Sequence, residues 1–250
     1  MRELPPVTIS EFDGVRCLHL GSAWVQGAMR IGAPQLVELE YVQRMLASLL
    51  WHPLDDLAEG RALQLGLGAG AITRFTHKQL RMRSTAVELN PQVIAVCRRW
   101  FHLPRDGARL AVVEADAAHW LARAAPASVT LLHVDLYDDE AAAPVLDDED
   151  FYAACRAVLE VGGTMSVNLF GRRACFAASA ARIAAVFGAE HLWRLTPTRE
   201  GNTVVVAARD AGLPARELLR ERAATIEQRF GLPARKWLRL LGPVSPGPAA

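Results

Sequence analysis

Leu63-Gln-Leu-Gly-Leu-Gly-Ala-Gly-Ala-Ile72 is the stretch whose reading decides the fold. A short apolar run ends in three alternating glycines, Gly66, Gly68 and Gly70, and helix-compatible residues follow. This is the pattern of a first parallel strand, a tight turn and the first turn of a helix. Glycine serves such a turn because it tolerates positive φ and lets a ligand approach the backbone. The turn aims unpaired helix N–H groups at whatever lies above the strand end. Gly66, Gly68 and Ala71 also fit the G-x-G-x-x-G/A spacing of dinucleotide binders. The alternative is a plain strand-to-helix turn. Glu88 favours a nucleoside site: it ends the next apolar run, Ser84-Thr-Ala-Val-Glu88, twenty residues after Gly68. An acid there can accept hydrogen bonds from both ribose hydroxyls.

Outward from this stretch, strand and helix patterns alternate. Strands are expected near 61–66, 83–88, 109–114, 129–135, 162–168, 191–196 and 203–208. Helices are expected near 70–80, 91–101, 117–124, 149–159 and 173–187, with Asn90-Pro91 opening the second of them. The fold class is α/β, a doubly wound Rossmann-like sheet of seven strands, with ligands outside the carboxyl ends of the strands. The last two strands are separated only by Pro197-Thr-Arg-Glu-Gly-Asn202, too short for a parallel crossover. They form an antiparallel hairpin, the ending of the adenosylmethionine-dependent transferase fold and an unusual one for dinucleotide domains.

The flanks divide the chain. Residues 1–33 read as a small β-hairpin region, alternating about Asp13-Gly14, with Trp24-Val-Gln26 as a further strand or turn. Residues 34–210 form the catalytic domain, which begins with a helix from Gln35 to about Trp51. Residues 211–241 carry two C-terminal helices, about Ala215–Arg229 and Pro233–Leu241, and 242–250 form a disordered tail.

The 250 residues carry a net charge of +1 and are 51% hydrophobic. A full core can be buried, and no electrostatic argument points to nucleic acid or a membrane surface. No apolar run of about 18 residues indicates a transmembrane helix, and the N-terminus lacks a secretory pattern. Cys17, Cys97, Cys155 and Cys175 lie far apart, without a C-x-x-C pair, so no metal is expected. Cys97 and Cys155 fall in amphipathic patterns as buried thiols. A cytoplasmic protein is expected.

Three acids fall at successive strand ends: Glu88, Asp116 and Asp135. Asp116 can accept from an adenine amino group, cap the helix that follows, or both. Asp135 and Asp138, with Tyr137 between them, are the candidate catalytic pair. A carboxylate there can bind a cationic amine and take a proton as the amine attacks an electrophilic carbon. The alternative is a solvated acidic loop. The run Asp147-Asp-Glu-Asp150 reads chiefly as a helix cap.

Taken together, Gly66-Leu-Gly-Ala-Gly70, Val87-Glu-Leu-Asn-Pro91, Glu114-Ala-Asp-Ala117, Val134-Asp-Leu-Tyr-Asp138, Phe151-Tyr152 and Gly162-Gly163 resemble the spermidine synthases, or polyamine aminopropyltransferases, in a divergent synthase-like form. The likeness runs from about Val25 to Ala208. The resemblance implies transfer of an aminopropyl group from decarboxylated S-adenosylmethionine to a diamine such as putrescine, without a metal. It implies Gly66, Gly68, Gly70, Glu88, Asp116 and Gln26 as nucleoside contacts, Asp135 and Asp138 as catalytic acids, and Tyr41, Gln43 and Tyr137 as amine contacts. It also implies a homodimer. The family's glycine loop usually carries an aspartate toward the aminopropyl ammonium where this chain has Ala69, and a proline where it has Asp139. Donor and acceptor identity therefore stay open. The alternatives are a methyltransferase using intact S-adenosylmethionine, a silent nucleoside-binding module, and a nicotinamide-dependent dehydrogenase. Gln64, where methyltransferases usually carry an acid, and the lack of an Asn/Asp-Pro-Pro-aromatic motif speak against the first. The terminal hairpin speaks against the last.

Overall fold

A computed structural model describes residues 4–136, 144–170 and 173–244, apart from the side chains of 144, 147 and 173–175. Tyr137, Asp138, Asp139 and the last six residues lie outside the described residues. The N-terminal region is a three-stranded antiparallel sheet: β1 (Val7–Phe12), β2 (Val15–Leu20) and β3 (Gly27–Arg30). Asp13 and Gly14 both have positive φ, 49° and 72°, the backbone that a two-residue hairpin needs.

The large sheet contains β4 (Arg61–Leu65), β5 (Arg83–Glu88), β6 (Leu110–Glu114), β7 (Val129–Val134), β8 (Leu159–Phe170), β9 (Leu192–Leu195), β10 (Asn202–Ala208) and β11 (Leu241–Pro243). Their order is β11-β9-β10-β8-β7-β4-β5-β6. β4 through β8 pair in parallel, and β10 pairs antiparallel with both β8 and β9. The expected hairpin is present, but its second strand is inserted between β8 and β9. β11 adds an eighth strand: residues 241–243 pair with β9, and Val244 behind them is buried. The tail expected from residue 242 is thus, as far as Val244, part of the sheet.

The helices are α1 (Glu40–Met45), α2 (Ala71–Arg74), α3 (Pro91–Trp100), α4 (Ala117–Leu121), α5 (Glu149–Val158), α6 (Arg173–Phe187), α7 (Arg216–Phe230) and α8 (Ala234–Leu240). Asn90 and Asp148 cap α3 and α5 through bonds from the backbone N–H of Gln92 and Asp150. The helix expected over 35–51 is shorter. Leu39 is extended, α1 ends at Met45, and a 3₁₀ segment runs from Leu46 to Trp51. Every residue of that segment is buried. The helix expected over 70–80 is α2 followed by a π-helical turn, Phe75–Gln79. The short crossover helix expected over 117–124 stops at Leu121.

The core has three parts. α1, the 3₁₀ segment, α7 and α8 pack on one face of the sheet, and α5 and α6 pack on the other. A third cluster joins Leu18 and Met29 of the N-terminal sheet to Leu67, Ala69, Val93, Cys97 and Phe101. Cys97 and Cys155 are buried free thiols, as the pattern predicts. The strand order reverses direction between β4 and β7, which brings the glycine turn after β4 against the end of β7. Asp135 N donates to Leu65 O at 2.9 Å. A Cβ on Gly66, where φ is +82°, would lie 2.0 Å from Asp135 O. We expect Gly66→Ala to destabilise the fold by about 2–4 kcal/mol, from left-handed strain and overpacking together. Chemical denaturation of wild type and variant measures this directly.

Candidate active site

A cavity of about 510 Å³ opens at the carboxyl end of the sheet, between the N-terminal sheet, α1 and the β9–β10 hairpin. Gln26, Glu38, Tyr41, Asp135, Asn168, Glu200 and Asn202 are among the residues that line it. Trp24 and Phe170 meet edge-to-face across 5.8 Å on its apolar side. A narrow extension bordered by Gln26, Gly27, Tyr41, Gly68, Ala69 and Asp135 leads to the glycine turn.

Asp135 is the centre of this arrangement. Tyr41 Oη donates to Asp135 Oδ2 at 3.2 Å, and Asn168 Nδ2 donates to Asp135 Oδ1 at 2.9 Å. Burial pushes the Asp135 carboxyl above the usual carboxylate range, and the bonds from Asn168 and Tyr41 oppose that push. A carboxylate with this upward push is a better proton acceptor than an exposed one.

The glycine turn is braced from several sides. Gln64 Nε2 donates to Gly66 O at 2.7 Å, and Thr73 Oγ1 donates to Gln64 Oε1 at 2.5 Å. The residue standing where a methyltransferase would carry its acid is therefore spent on the turn. Cys97 Sγ donates to Gly68 O at 3.0 Å, and Arg74 Nη1 donates to Ala69 O at 2.6 Å. A Cβ on Gly68 would come within 3.0 Å of Gln26 O, so the N-terminal sheet sits directly on the turn. Glu88 Oε2 accepts from Leu67 N at 2.8 Å, and Oε1 accepts from Asn90 N at 2.9 Å. Burial raises the Glu88 carboxyl, its backbone N–H partners lower it, and the nearby Asp135 adds a further upward push.

Gln26, Tyr41 and Asp135 thus come together in one cavity, with Gly68 at its inner end. Glu88 sits under the glycine turn and Asp116 one strand further along, and neither lines the cavity. Asp116 caps α4 by accepting from His119 N at 2.9 Å. Gln43 does not join the site: its Nε2 donates to Val37 O at 2.6 Å, and it lies on a different face of α1 from the cavity-facing Tyr41. Sequence reasoning missed Asn168, Asn202, Glu38, Glu200 and Trp24. The one available signal was the polar Asn168 inside the apolar run of β8.

No protein-family model matches the chain. A polyamine aminopropyltransferase of Chromobacterium violaceum is 36% identical over 231 residues, spanning 92% of this chain and 86% of that protein. One from Neisseria meningitidis is 32% identical over 91% of this chain and 86% of its own length. The chain belongs to the polyamine aminopropyltransferase family. It is a transferase. Among solved structures, a probable spermidine synthase from Corynebacterium glutamicum has the same fold, with a TM-score of 0.74, 20% identity, and coverage of 91% of this chain and 85% of that one. Human methyltransferase-like protein 13, solved in complex with SAH, matches with a TM-score of 0.68 and 22% identity over 77% of this chain and 93% of that one. The doubly wound transferase fold read from the terminal hairpin is therefore correct.

Tyr41→Phe removes one of the two donors that keep Asp135 ionised. A base works in its charged form and loses activity as pH falls through its pKa. The variant should therefore lose activity at a higher pH than wild type, with little change in unfolding temperature. Transferase activity measured against pH checks this, and an unmoved acid limb would contradict it.

Proposed function

We propose that this aminopropyltransferase moves an aminopropyl group from decarboxylated S-adenosylmethionine to a diamine of the putrescine class, with Asp135 as the general base. The half-buried, doubly hydrogen-bonded carboxylate of Asp135, between the glycine turn and an acidic cavity, carries the proposal. Glu88 takes the ribose hydroxyls, and the backbone of Gly66, Gly68 and Gly70 passes close beneath the nucleoside. Asp116, at the next strand end, takes the adenine amino group while it caps α4. Gln26 and Tyr41 close the site from above.

The acceptor amine lies against Asp135 and gives it one proton. The free electron pair of the amine nitrogen forms the new C–N bond as the C–S bond of the sulfonium breaks, and methylthioadenosine leaves neutral. General-base assistance of this kind is worth ~10²–10⁴ in rate. The cavity wall suits a dication. Glu38 is paired with Arg30, and Glu40 with Arg44 and Lys236, while Glu200 has no cationic partner among the described residues. Glu200 is free to face the second ammonium. No group of three metal-ligating side chains occurs among the described residues, and the proposed step uses only the chain's own carboxylates. A homodimer in the cytoplasm belongs to this reading on family likeness alone. Asp138 and Tyr137, which the resemblance places beside the amine, lie outside the described residues.

The test offers the purified protein decarboxylated or intact S-adenosylmethionine with putrescine, cadaverine or spermidine, and reads the products by mass spectrometry. Methylthioadenosine with a lengthened amine is expected; S-adenosylhomocysteine would overturn the reading. Asp135→Asn should lower turnover by ~10²–10⁴ and leave nucleoside binding nearly intact. Glu88→Gln should weaken nucleoside binding by about 1–3 kcal/mol, the range for a hydrogen bond to a charged group, as read by calorimetry.

A further inference from the structure

Behind Asp135 stand two amide side chains, Asn168 on β8 and Asn202 at the start of β10, both almost fully buried. A carboxamide has a donor end and an acceptor end, and its neighbours decide which way it points. An ionised Asp135 can only accept, so Asn168 presents its Nδ2, at 2.9 Å from Asp135 Oδ1. Asn168 Oδ1 then points away and accepts from Asn202 Nδ2 at 3.1 Å. Asn202 Oδ1 in turn accepts from Thr198 Oγ1 at 3.4 Å.

The end of this chain is locked to backbone. Thr198 Oγ1 accepts from Asn202 N at 3.2 Å, and Thr198 N donates to Asn202 O at 2.8 Å. Gly201, with φ of +99°, closes the turn between them. Every donor in the series points toward Asp135. A half-turn of Asn168 would set its oxygen against the carboxylate and its nitrogen against the nitrogen of Asn202. Asn202 therefore favours this orientation of Asn168 from a place that does not touch Asp135.

We propose that Asn202, acting through Asn168, is a positioning residue that keeps the Asp135 carboxylate ionised and aimed into the cavity. The consequence for catalysis rests on the role of Asp135 proposed above. Among the described residues, the other polar and charged groups that face Asp135 or share its cavity are Tyr41 from α1, Glu88 from β5, Glu38 and Glu40 with their cations, and Glu200 from the hairpin. The relay is separate from all of them, and it links the β9–β10 turn to the reacting carboxylate.

Two variants test it. Asn202→Leu removes the donor that faces Asn168. Asn202→Asp, of the same size, reverses the series, because Asn168 then turns its nitrogen to the new acid and its oxygen to Asp135. The readouts are kcat/KM for the diamine against pH and the ¹³C carboxylate titration of Asp135, assigned with Asp135→Asn. Both variants should move the midpoint to higher pH, Asn202→Asp further, with kcat/KM on the acid side down about tenfold in Asn202→Leu. A merely structural role would lower the unfolding temperature without moving either midpoint. If Asn202→Leu does not fold, the same-sized Asn202→Asp decides. A folded variant with the wild-type carboxylate titration overturns the relay, whatever its activity. A shifted titration in a protein that forms no methylthioadenosine supports the relay and instead sinks the role of Asp135 as base.

Discussion

The contact between Gly66 and the backbone of Asp135 is the constraint on which the site depends. β4 and β7 are neighbours where the strand order reverses, so the turn leaving one and the loop leaving the other must diverge from nearly the same point. Only a residue without a side chain fits there, since a Cβ on Gly66 would lie 2.0 Å from Asp135 O. The glycine turn and the Asp135 carboxylate, proposed above as nucleoside seat and base, are thereby packed together. Neither can shift without the other, which holds the two halves of a group-transfer site at a fixed separation.

That placement costs hydration. Asp135 is half-buried at the cavity wall, and an unpaired carboxylate in such a place would favour its protonated form. Its compensation comes from distant parts of the chain, Tyr41 from α1 and Asn168 from β8. Tyr41 Oη also lies 3.4 Å from Gln26 O, at the edge of the N-terminal sheet. That sheet packs on the glycine turn through Gly27 and on α3 through the third core cluster. It is a wall of the site, and its removal would uncover both the turn and Tyr41.

The parts legible in the sequence are those that strand ends impose. Glu88, Asp116 and Asp135 each follow an apolar run, and the glycines mark the turn, so the topology alone sets them along one rim. The hairpin was legible because six residues cannot make a parallel crossover. Asn168 and Asn202 were not, because their meaning arises only when β10 inserts beside β8, thirty-four residues away. Gln43 was placed by resemblance two positions from Tyr41, which on a helix is another face, and its amide turned to Val37. The 35–51 helix differs in another way: Leu39 is extended, and the run from Leu46 to Trp51 is a fully buried 3₁₀ segment whose apolar spacing in sequence does not separate 3₁₀ from α.

Ala69 shows how packing rewrites a motif. Its resembled counterpart is an aspartate, and in sequence the change reads as a lost countercharge. In the fold, Ala69 is buried, and a Cβ on Gly27 would lie only 2.4 Å from Ala69 N and 2.6 Å from Ala69 Cβ. Glycine at 27 and a small residue at 69 are therefore one solution to one space, in which β3 closes down on the turn. A carboxylate at 69 would need β3 to move outward, and with it Gln26, the backbone partner of Tyr41. The N-terminal sheet is thus seated closely over Ala69, which is buried. Of the glutamates on the outer cavity wall, Glu38 and Glu40 are paired with cations, and Glu200 has no cationic partner among the described residues.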